Sequence, residues 1–471
     1  MHEVKINIYN SITKQKENFS TIEPNHVKMY VCGPTVYDNL HIGNARPLVV
    51  FDTIRRYLEY IGYKVTHIQN YTDVDDKIIA RANETGISTT NLTQKFIQEA
   101  QIDMQRLNLL PYTFSPKVTD EINIIIDMID TLIKKGHAYE RNGNVYFDSP
   151  SFSDYGILKN IDIEELQSRL ENEHIKKHPT DFVLWKAKKQ DEPFFDSPWG
   201  QGRPGWHIEC SAMVKKYLGE TIDIHGGGMD LLFPHHENEI AQSTCANNAP
   251  LAHYFLHNGF INIDNEKMSK SSGNFFTIRD ISNQYGYHVL RFFLLSSHYR
   301  STLNYSDEAM SSAEAGLERI KQCLDNLDFW IENSISEDMS EKTCISKEDR
   351  FLKLIEAFNS SMQDDFNTAI AISIIFDLVK LANQNMNENV NQNFFKYTKF
   401  LLNKFLDILG IKFNHTEKNN EKEKQIEDLI KQRTQAKKEK NFARADMIRE
   451  QLSAMGITIE DTRAGVRWKY D

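Results

Sequence analysis

The sequence predicts an α/β protein: a Rossmann-like, doubly wound parallel-sheet domain with an insertion, then an all-α helical bundle and a small C-terminal domain. Three observations predict it. Residues Val27 to Gly33 alternate apolar side chains and end in Gly-Pro, as a strand leaving a sheet does; a helical pattern follows from about Gly43, with Val49, Phe51, Ile54, Leu58 and Ile61 on one face. Strand signals return at Thr221 to Ile224 and near Phe260 to Ile263, with a helix from about Pro234 between them. Beyond Asp307 the pattern becomes that of amphipathic helices, Leu317, Ile320, Leu324 and Leu327 keeping one face and Phe351, Ile355 and Phe358 another.

In chain order, residues 1–116 are expected to form the first half of the α/β domain. Residues 117–200 read as the insertion, from short strand-like pieces such as Gly143 to Phe147 and turn-rich stretches such as Asp191 to Gly202. Residues 201–306 complete the α/β domain and 307–412 make the bundle, whose last helix is expected to stop at Gly410. The polar run His415 to Lys424 is a linker, and 425–471 a terminal domain. A length of 471 residues suits about three domains, and 40% hydrophobic residues suffice to bury their cores. Met1 to Asn10 alternates like a strand, with no basic segment leading into an apolar core. No run of 18 apolar residues occurs, so neither a leader nor a membrane span is expected.

Charge and cysteine usage narrow the class. The net charge of −11 does not suit a general phosphate-backbone binder, yet Leu429 to Asp471 holds ten Lys or Arg against six Asp or Glu. Five cysteines (Cys32, Cys210, Cys245, Cys323, Cys344) are odd in number and scattered, which argues for a reducing, cytoplasmic setting and for metal binding or catalysis rather than a disulfide framework.

Four groups of residues can carry chemistry. His41-Ile42-Gly43-Asn44 lies between the first strand and its helix, where unpaired backbone N–H groups favour an anion; Gly43 admits close approach and His41 can donate to phosphate, although an ordinary capping turn has the same look. The dinucleotide fingerprint G-x-G-x-x-G is missing there. Lys267-Met268-Ser269-Lys270-Ser271 suits a loop that closes on a polyphosphate, against the plain reading of a solvated loop. Cys32 ends the first strand, where open α/β sheets place their sites; with Cys210, and with His235 and Glu239 four apart on a helix, it offers zinc its preferred donors. Buried cysteines acting as small apolar residues are the competing reading. The run His225-Gly226-Gly227-Gly228-Met229-Asp230 leaves a strand, and a glycine-rich turn without a ligand is its plain reading.

Tyr30-Val31-Cys32-Gly33-Pro34-Thr35-Val36-Tyr37-Asp38, Gly202-Arg203-Pro204-Gly205-Trp206-His207-Ile208-Glu209-Cys210 and Phe233-Pro234-His235-His236-Glu237-Asn238-Glu239 resemble stretches of the bacterial cysteinyl-tRNA synthetases, and the likeness runs through essentially the whole chain. The segments at His41 and Lys267 likewise resemble, in the expected order, the two signatures of class I aminoacyl-tRNA synthetases. The resemblance implies activation of L-cysteine with ATP and Mg²⁺, transfer to the 3′ end of cysteine tRNA, and one zinc per chain held by Cys32, Cys210, His235 and Glu239. Four protein ligands ordinarily close a structural site, so the resemblance further implies that the substrate thiolate joins the metal, with Glu239 the candidate to loosen. It gives catalytic roles to His41, Gly43, Asn44, Lys267, Ser269 and Lys270, ATP contacts to His41, Asn44, Gly227, Asp230 and Lys270, and a cysteine pocket to Thr72 and Trp206. Asn44 stands where the wider class has histidine, and can still donate to phosphate. The C-terminal piece resembles the family's anticodon-binding domain, with Arg433 and Asp446 reading base edges and Phe442 or Trp468 stacking on a base. A monomer is expected. Two rival functions are a cysteine ligase acting on an amino sugar, which has no use for an anticodon domain, and a non-catalytic RNA-binding paralogue, which has no need of intact motifs.

Overall fold

The computed structural model describes residues 5–159, 176–190, 192–267, 275–333, 341–386, 392–413, 420–462 and 465–470. The chain divides into two compact units: Met1–Ala313 with Asn359–Ala371 and Ile408–Gly410, and Glu314–Phe358 with Ile372–Asp407 and Ile411–Asp471.

The first unit opens with an antiparallel hairpin, β1 (Asn7–Asn10) and β2 (Gln15–Asn18). Then come β3 (His26–Val31), α1 (Ile42–Tyr60), β4 (Lys64–Gln69), α2 (Asp76–Thr85), α3 (Thr89–Arg106) and α4 (Ile122–Lys134). An antiparallel sheet follows from β5 (Ala138–Arg141), β6 (Asn144–Phe147), β7 (Phe182–Ala187) and β8 (Gly202–Pro204). The chain returns through α5 (Trp206–Leu218), β9 (Ile222–Gly228), α6 (Glu237–Asn247) and β10 (Ala252–Asn258), and continues into β11 (Ile261–Ile263), β12 (Glu266–Lys267), α7 (Ile278–Tyr285), α8 (Tyr287–Leu295) and β13 (Leu303–Tyr305).

The central sheet has the order β10-β9-β3-β4 and is parallel throughout. Every residue of β9 is buried, as a parallel strand covered on both faces should be. From β3 the chain steps through α1 to β4 on one side, while β9 steps through α6 to β10 on the other. The order therefore reverses between β3 and β9, and open α/β sheets place their crevice beyond the carboxyl ends at that point. Arg291, buried on α8, braces this body by bonding Asp52 of α1 and the carbonyls of Leu107 and Leu409.

Several expectations shift in detail. The sheet of the insertion takes its last strand from residues 202–204, past residue 200. Gly202 permits this, since a Cβ there would lie 2.2 Å from the Lys186 carbonyl oxygen. Gly226 to Gly228 do not form a turn but complete β9, because Phe51 packs so closely on Gly226 that a Cβ would sit 2.3 Å from its ring. The residues from about Pro234 form a single wide turn with an extended residue at Phe233, and α6 proper begins at Glu237. The strand near Phe260 is β11, which joins β12 and β13 in a separate small sheet. No described helix is long and apolar enough to cross a membrane.

The helices α9 (Asp307–Asn333), α10 (Glu341–Gln363), α11 (Thr368–Gln384) and α12 (Gln392–Ile408) supply most of the second unit. Phe358 stacks on Phe405 with centroids 4.0 Å apart, and Trp330 on Phe395 at 5.8 Å. The C-terminal piece is α13 (Asn420–Lys438), α14 (Phe442–Ala454) and the antiparallel hairpin β14 (Ile457–Thr462) with β15 (Gly465–Tyr470), packed around Ile426, Ile448, Leu452 and Ile457.

Candidate active site and metal centre

β3 ends at Val31, so Cys32 leaves the sheet at the point of reversal. Cys210 projects from the second turn of α5, which is set against the sheet by Ile208, Met213 and Val214. His235 comes from the wide turn before α6 and Glu239 from its first turn. The four donor atoms of Cys32, Cys210, His235 and Glu239 lie within 4.8 Å of one another, and all four residues are buried. The two thiols are 3.7 Å apart, Cys210 Sγ is 3.8 Å from His235 Nε2, and Cys32 Sγ is 3.3 Å from a Glu239 oxygen. Soft, borderline and hard donors thus converge in a space of ionic size, a set that fits zinc.

The protonation of the cluster follows from these contacts. A hydrogen bond from Cys32 pulls the Cys210 thiol down to about 7, with His235 adding to the effect. Burial pushes Cys32 up. Burial works against charge on His235, but Glu239 outweighs it and raises the imidazole to about 10. Burial likewise opposes ionisation of Glu239, yet His225 and His235 hold its carboxyl well below the usual range.

The histidines behind this cluster carry no sequence signature of their own. His225 Nε2 is 2.5 Å from one Glu239 oxygen, while His235 Nε2 is 2.8 Å from the other. His236 Nδ1 meets His257 Nε2 at 2.8 Å, and His257 Nδ1 meets Ser11 Oγ at 2.8 Å. Cys32, His225, His236 and Glu239 therefore form a second convergent set sharing two donors with the first. His207 and His235 approach through their Nδ1 atoms at 2.9 Å, which leaves His235 Nε2 turned toward Cys210 and Glu239. Only the density of histidines between residues 207 and 257 hinted at this layer; no spacing rule picks out a partner on another strand.

Beside the cluster lies a cavity of about 370 Å³, within the range of small-molecule sites. Its lining includes Cys32, Gly33, His41, Gly43, Asn44, Trp206, Gly228 and Asp230. Trp206 is 39% exposed and its ring lies 4.2 Å from that of His235, so an apolar wall stands next to the donor set. Thr72 is buried and does not line the cavity. Its backbone bonds Pro34 and Val36, and its hydroxyl accepts from Asn70 and donates to the buried carboxyl of Glu209. It braces the Gly33–Thr35 wall from behind. Gly227 is likewise an interior residue, where a Cβ would meet Leu231 and His236, while Asp230 lies over Gly228 at the cavity edge.

At the first motif the capping turn and the cavity coexist. His41 is the N-cap of α1: its Nδ1 accepts from the Asn44 backbone N–H, and Asn44 Oδ1 accepts from the His41 backbone N–H. Asn44 therefore spends its oxygen on the cap, and its side-chain NH₂ is the remaining donor. Lys267 sits on β12, its backbone paired with Asn262; Ser269 and Lys270 lie outside the described residues. The residues just beyond them are zipped to the first motif, with Ile42 N–H donating to Phe276, Ile278 N–H to Leu40, and the Phe275 ring 5.1 Å from His41.

The C-terminal piece corrects one expectation. Arg433 is not aimed at a base: it is 3% exposed and makes a bidentate bond to Asp461 at 2.6 and 2.7 Å, with Lys437 on the same carboxylate. A guanidinium near the hairpin is most stable on its own carboxylate. Phe442 begins α14 and is 63% exposed, Asp446 is exposed on the same helix, and Trp468 lies on β15, its side chain outside the described residues.

A parallel sheet with its crevice at the point of reversal, a capped helix facing a nucleotide-sized cavity and a buried Cys/His/Glu cluster define a class I synthetase body. Comparison with solved structures gives the same fold. Mycobacterium tuberculosis methionyl-tRNA synthetase in complex with methionyl-adenylate aligns with a TM-score of 0.59 at 14% identity, covering 82% of this chain and 90% of that one. The Agrobacterium radiobacter LeuRS of a ternary complex with tRNA and LeuAMS aligns at 0.62 and 13% identity, covering 83% and 85%. The family described as tRNA synthetases class I (C) catalytic domain matches residues 18–315, the DALR domain 357–414, and the cysteinyl-tRNA ligase anticodon binding domain 420–468. The cysteine–tRNA ligase of Lachnospira eligens is 52% identical over 98% of this chain and 99% of its own length, and that of Clostridioides difficile 52% identical over the same shares. The chain belongs to the cysteine–tRNA ligases. Neither a cysteine ligase acting on an amino sugar nor a non-catalytic paralogue finds support in these relatives.

Proposed function

We propose that this ligase holds one zinc through Cys32, Cys210, His235 and Glu239 and reads the thiol of L-cysteine there, with ATP in the adjoining cavity. The observation that carries the reading is the convergence of four buried donors within 4.8 Å beside the cavity that Cys32 and Trp206 line. When bound, zinc would supply a Lewis acid that favours a deprotonated sulfur over a neutral hydroxyl. Size alone separates such isosteres by about 10², whereas translation needs roughly 10⁴ to 10⁵. The His207 contact supports the choice of His235, whose Nδ1 is occupied and whose Nε2 faces the other donors.

The remaining chemistry is positioning and charge stabilisation. ATP enters with Mg²⁺ and its phosphates meet the N-terminus of α1, where His41, Gly43 and Asn44 line the cavity. A cysteine carboxylate oxygen attacks the α-phosphorus, the bond to the β-phosphate oxygen breaks, and cysteinyl-adenylate and pyrophosphate form. Lys267, Ser269 and Lys270 offset charge on the departing pyrophosphate. A ribose hydroxyl of the terminal adenosine of cysteine tRNA then attacks the acyl carbon, AMP leaves, and the hydroxyl proton passes to solvent. Trp206 walls the cysteine side, Thr72 stiffens the loop beneath it, and Asp230 meets ribose hydroxyls. Residues 425–471 bind the anticodon, with Phe442 the exposed ring for stacking and Asp446 beside it. The enzyme acts as a monomer in the cytoplasm, where its cysteines stay reduced.

The test is metal content together with cysteine-dependent pyrophosphate exchange. Cys210→Ser should lose zinc and cysteine affinity together, while His236→Ala keeps the metal. Full zinc in Cys210→Ser with loss in His236→Ala would transfer the site to the second donor set.

A further inference from the structure

Arg46 lies on α1 in the first unit and is 0% exposed. Its Nη1 donates to the carbonyls of Gly259 (2.9 Å) and Phe260 (2.6 Å); its Nη2 donates to those of His298 (3.4 Å) and Ser301, and reaches Ser297 Oγ at 3.5 Å. Among the described residues it makes no ion pair. Burial brings the guanidinium down to about 10, so it stays a cation at neutral pH. A buried charge held only by neutral dipoles is costly, and a helix residue that only had to fill space would be apolar.

What the guanidinium grips is informative. Gly259 and Phe260 line the same cavity as His41, Gly43 and Asn44, and they connect β10 to the small sheet that carries Lys267. The Gly259 N–H donates to Tyr299 and the Leu303 N–H to Phe260, while a Cβ on Gly259 would stand 2.4 Å from the Ser301 carbonyl oxygen. One fork therefore joins the first-motif helix, the 259–260 turn and the 297–301 segment. A planar guanidinium holds five N–H donors in a fixed fork and can serve these four carbonyls at once, whereas an ammonium has only three donors on a single atom.

We propose that Arg46 is a positioning residue for ATP: by fixing the 259–260 turn against α1 it sets the spacing of the nucleotide cavity, without touching the nucleotide. This rests on the reading of the cavity as the ATP site. Arg46 acts on ATP binding and adenylate formation and leaves the metal centre alone.

The experiment compares full-length Arg46→Lys, Arg46→Met and Gly259→Ala with wild type in cysteine-dependent pyrophosphate exchange, recording KM for ATP and for cysteine, zinc content and thermal melting. All three should raise the ATP KM by about tenfold or more, since misplacement near 1 Å is felt strongly in such sites. The cysteine KM should stay within about twofold, and zinc at one per chain. Failure of the lysine to rescue marks the fork rather than the charge as the cause. Gly259→Ala presses on the same turn with Arg46 intact, so it carries the test if the Arg46 variants do not fold. Variants that melt earlier but keep a wild-type ATP KM, or that raise both KM values alike, would overturn the proposal. His41→Ala is the control for the cavity: if it too left the ATP KM unchanged, the assignment of the cavity would fail, and not the role of Arg46 alone.

Discussion

Arg433 shows how far residue type can mislead about a residue's task. A basic tail with an arginine near exposed aromatics reads as a base-reading site, yet the guanidinium is buried against Asp461. Arg433→Ala should therefore act through the fold of the C-terminal piece, costing about 1–2 kcal/mol because Asp461 stands half in water. Asp461→Asn should lower tRNA charging comparably, a match that a base-contacting Arg433 would not give. The pair also fixes a pH signature. Hydrogen bonding from Arg433 holds the Asp461 carboxyl well below the usual carboxylate range. A depressed folded pKa adds stability above the unfolded value near 4, and this is lost as pH falls. The advantage of wild type over Asp461→Asn should thus shrink between about pH 5 and 3, followed by urea titration of the C-terminal piece; a constant difference would contradict the pairing. By contrast, Cys32, Cys210, His235 and Glu239 were legible as candidates because few residue types bind metals. Their histidine neighbours were not, since partners such as Glu239 and His225 meet only through the sheet.

At the scale of elements, the strand-loop-helix at β3 and α1 was readable because a buried parallel strand and an amphipathic helix have distinct periods. The glycine run reads as chain that has left its strand, because glycine usually marks a turn or loop; here Gly226 to Gly228 still belong to β9, and Gly226 makes room for Phe51. On either side of residues 268–274 the described chain is anchored, Lys267 by its pairing with Asn262 and Phe276 by its bond from Ile42. Lysine charge between these anchors should count most as pyrophosphate leaves. Lys270→Ala is expected to slow adenylate formation by about 10² to 10³ with little change in cysteine affinity. Single-turnover measurement of adenylate formation checks it, and an unchanged rate with weakened cysteine binding would move Lys270 out of this role.

Across the molecule, the order of α/β body, insertion, helices and terminal domain was legible because composition and period change at each junction. The division into two compact units was not, since residues 359–371 and 408–410 of the helical region belong with the catalytic body, a long-range association no local pattern encodes. The C-terminal piece has a core of its own in Ile426, Ile448, Leu452 and Ile457. Deleting residues 425–471 should leave cysteine-dependent pyrophosphate exchange nearly intact and sharply lower aminoacylation through weaker tRNA affinity; equal aminoacylation by the truncated and full-length chains would remove the tail from recognition. The central claim is that a metal on Cys32, Cys210, His235 and Glu239 reads the substrate thiol. Its most direct test is to replace the bound metal with Co²⁺ and follow the sulfur-to-metal charge-transfer absorption. The band should be present in the free enzyme, from two protein thiolates, and should rise on addition of L-cysteine but not of L-serine. A band that cysteine leaves unchanged, or that serine raises equally, would contradict it.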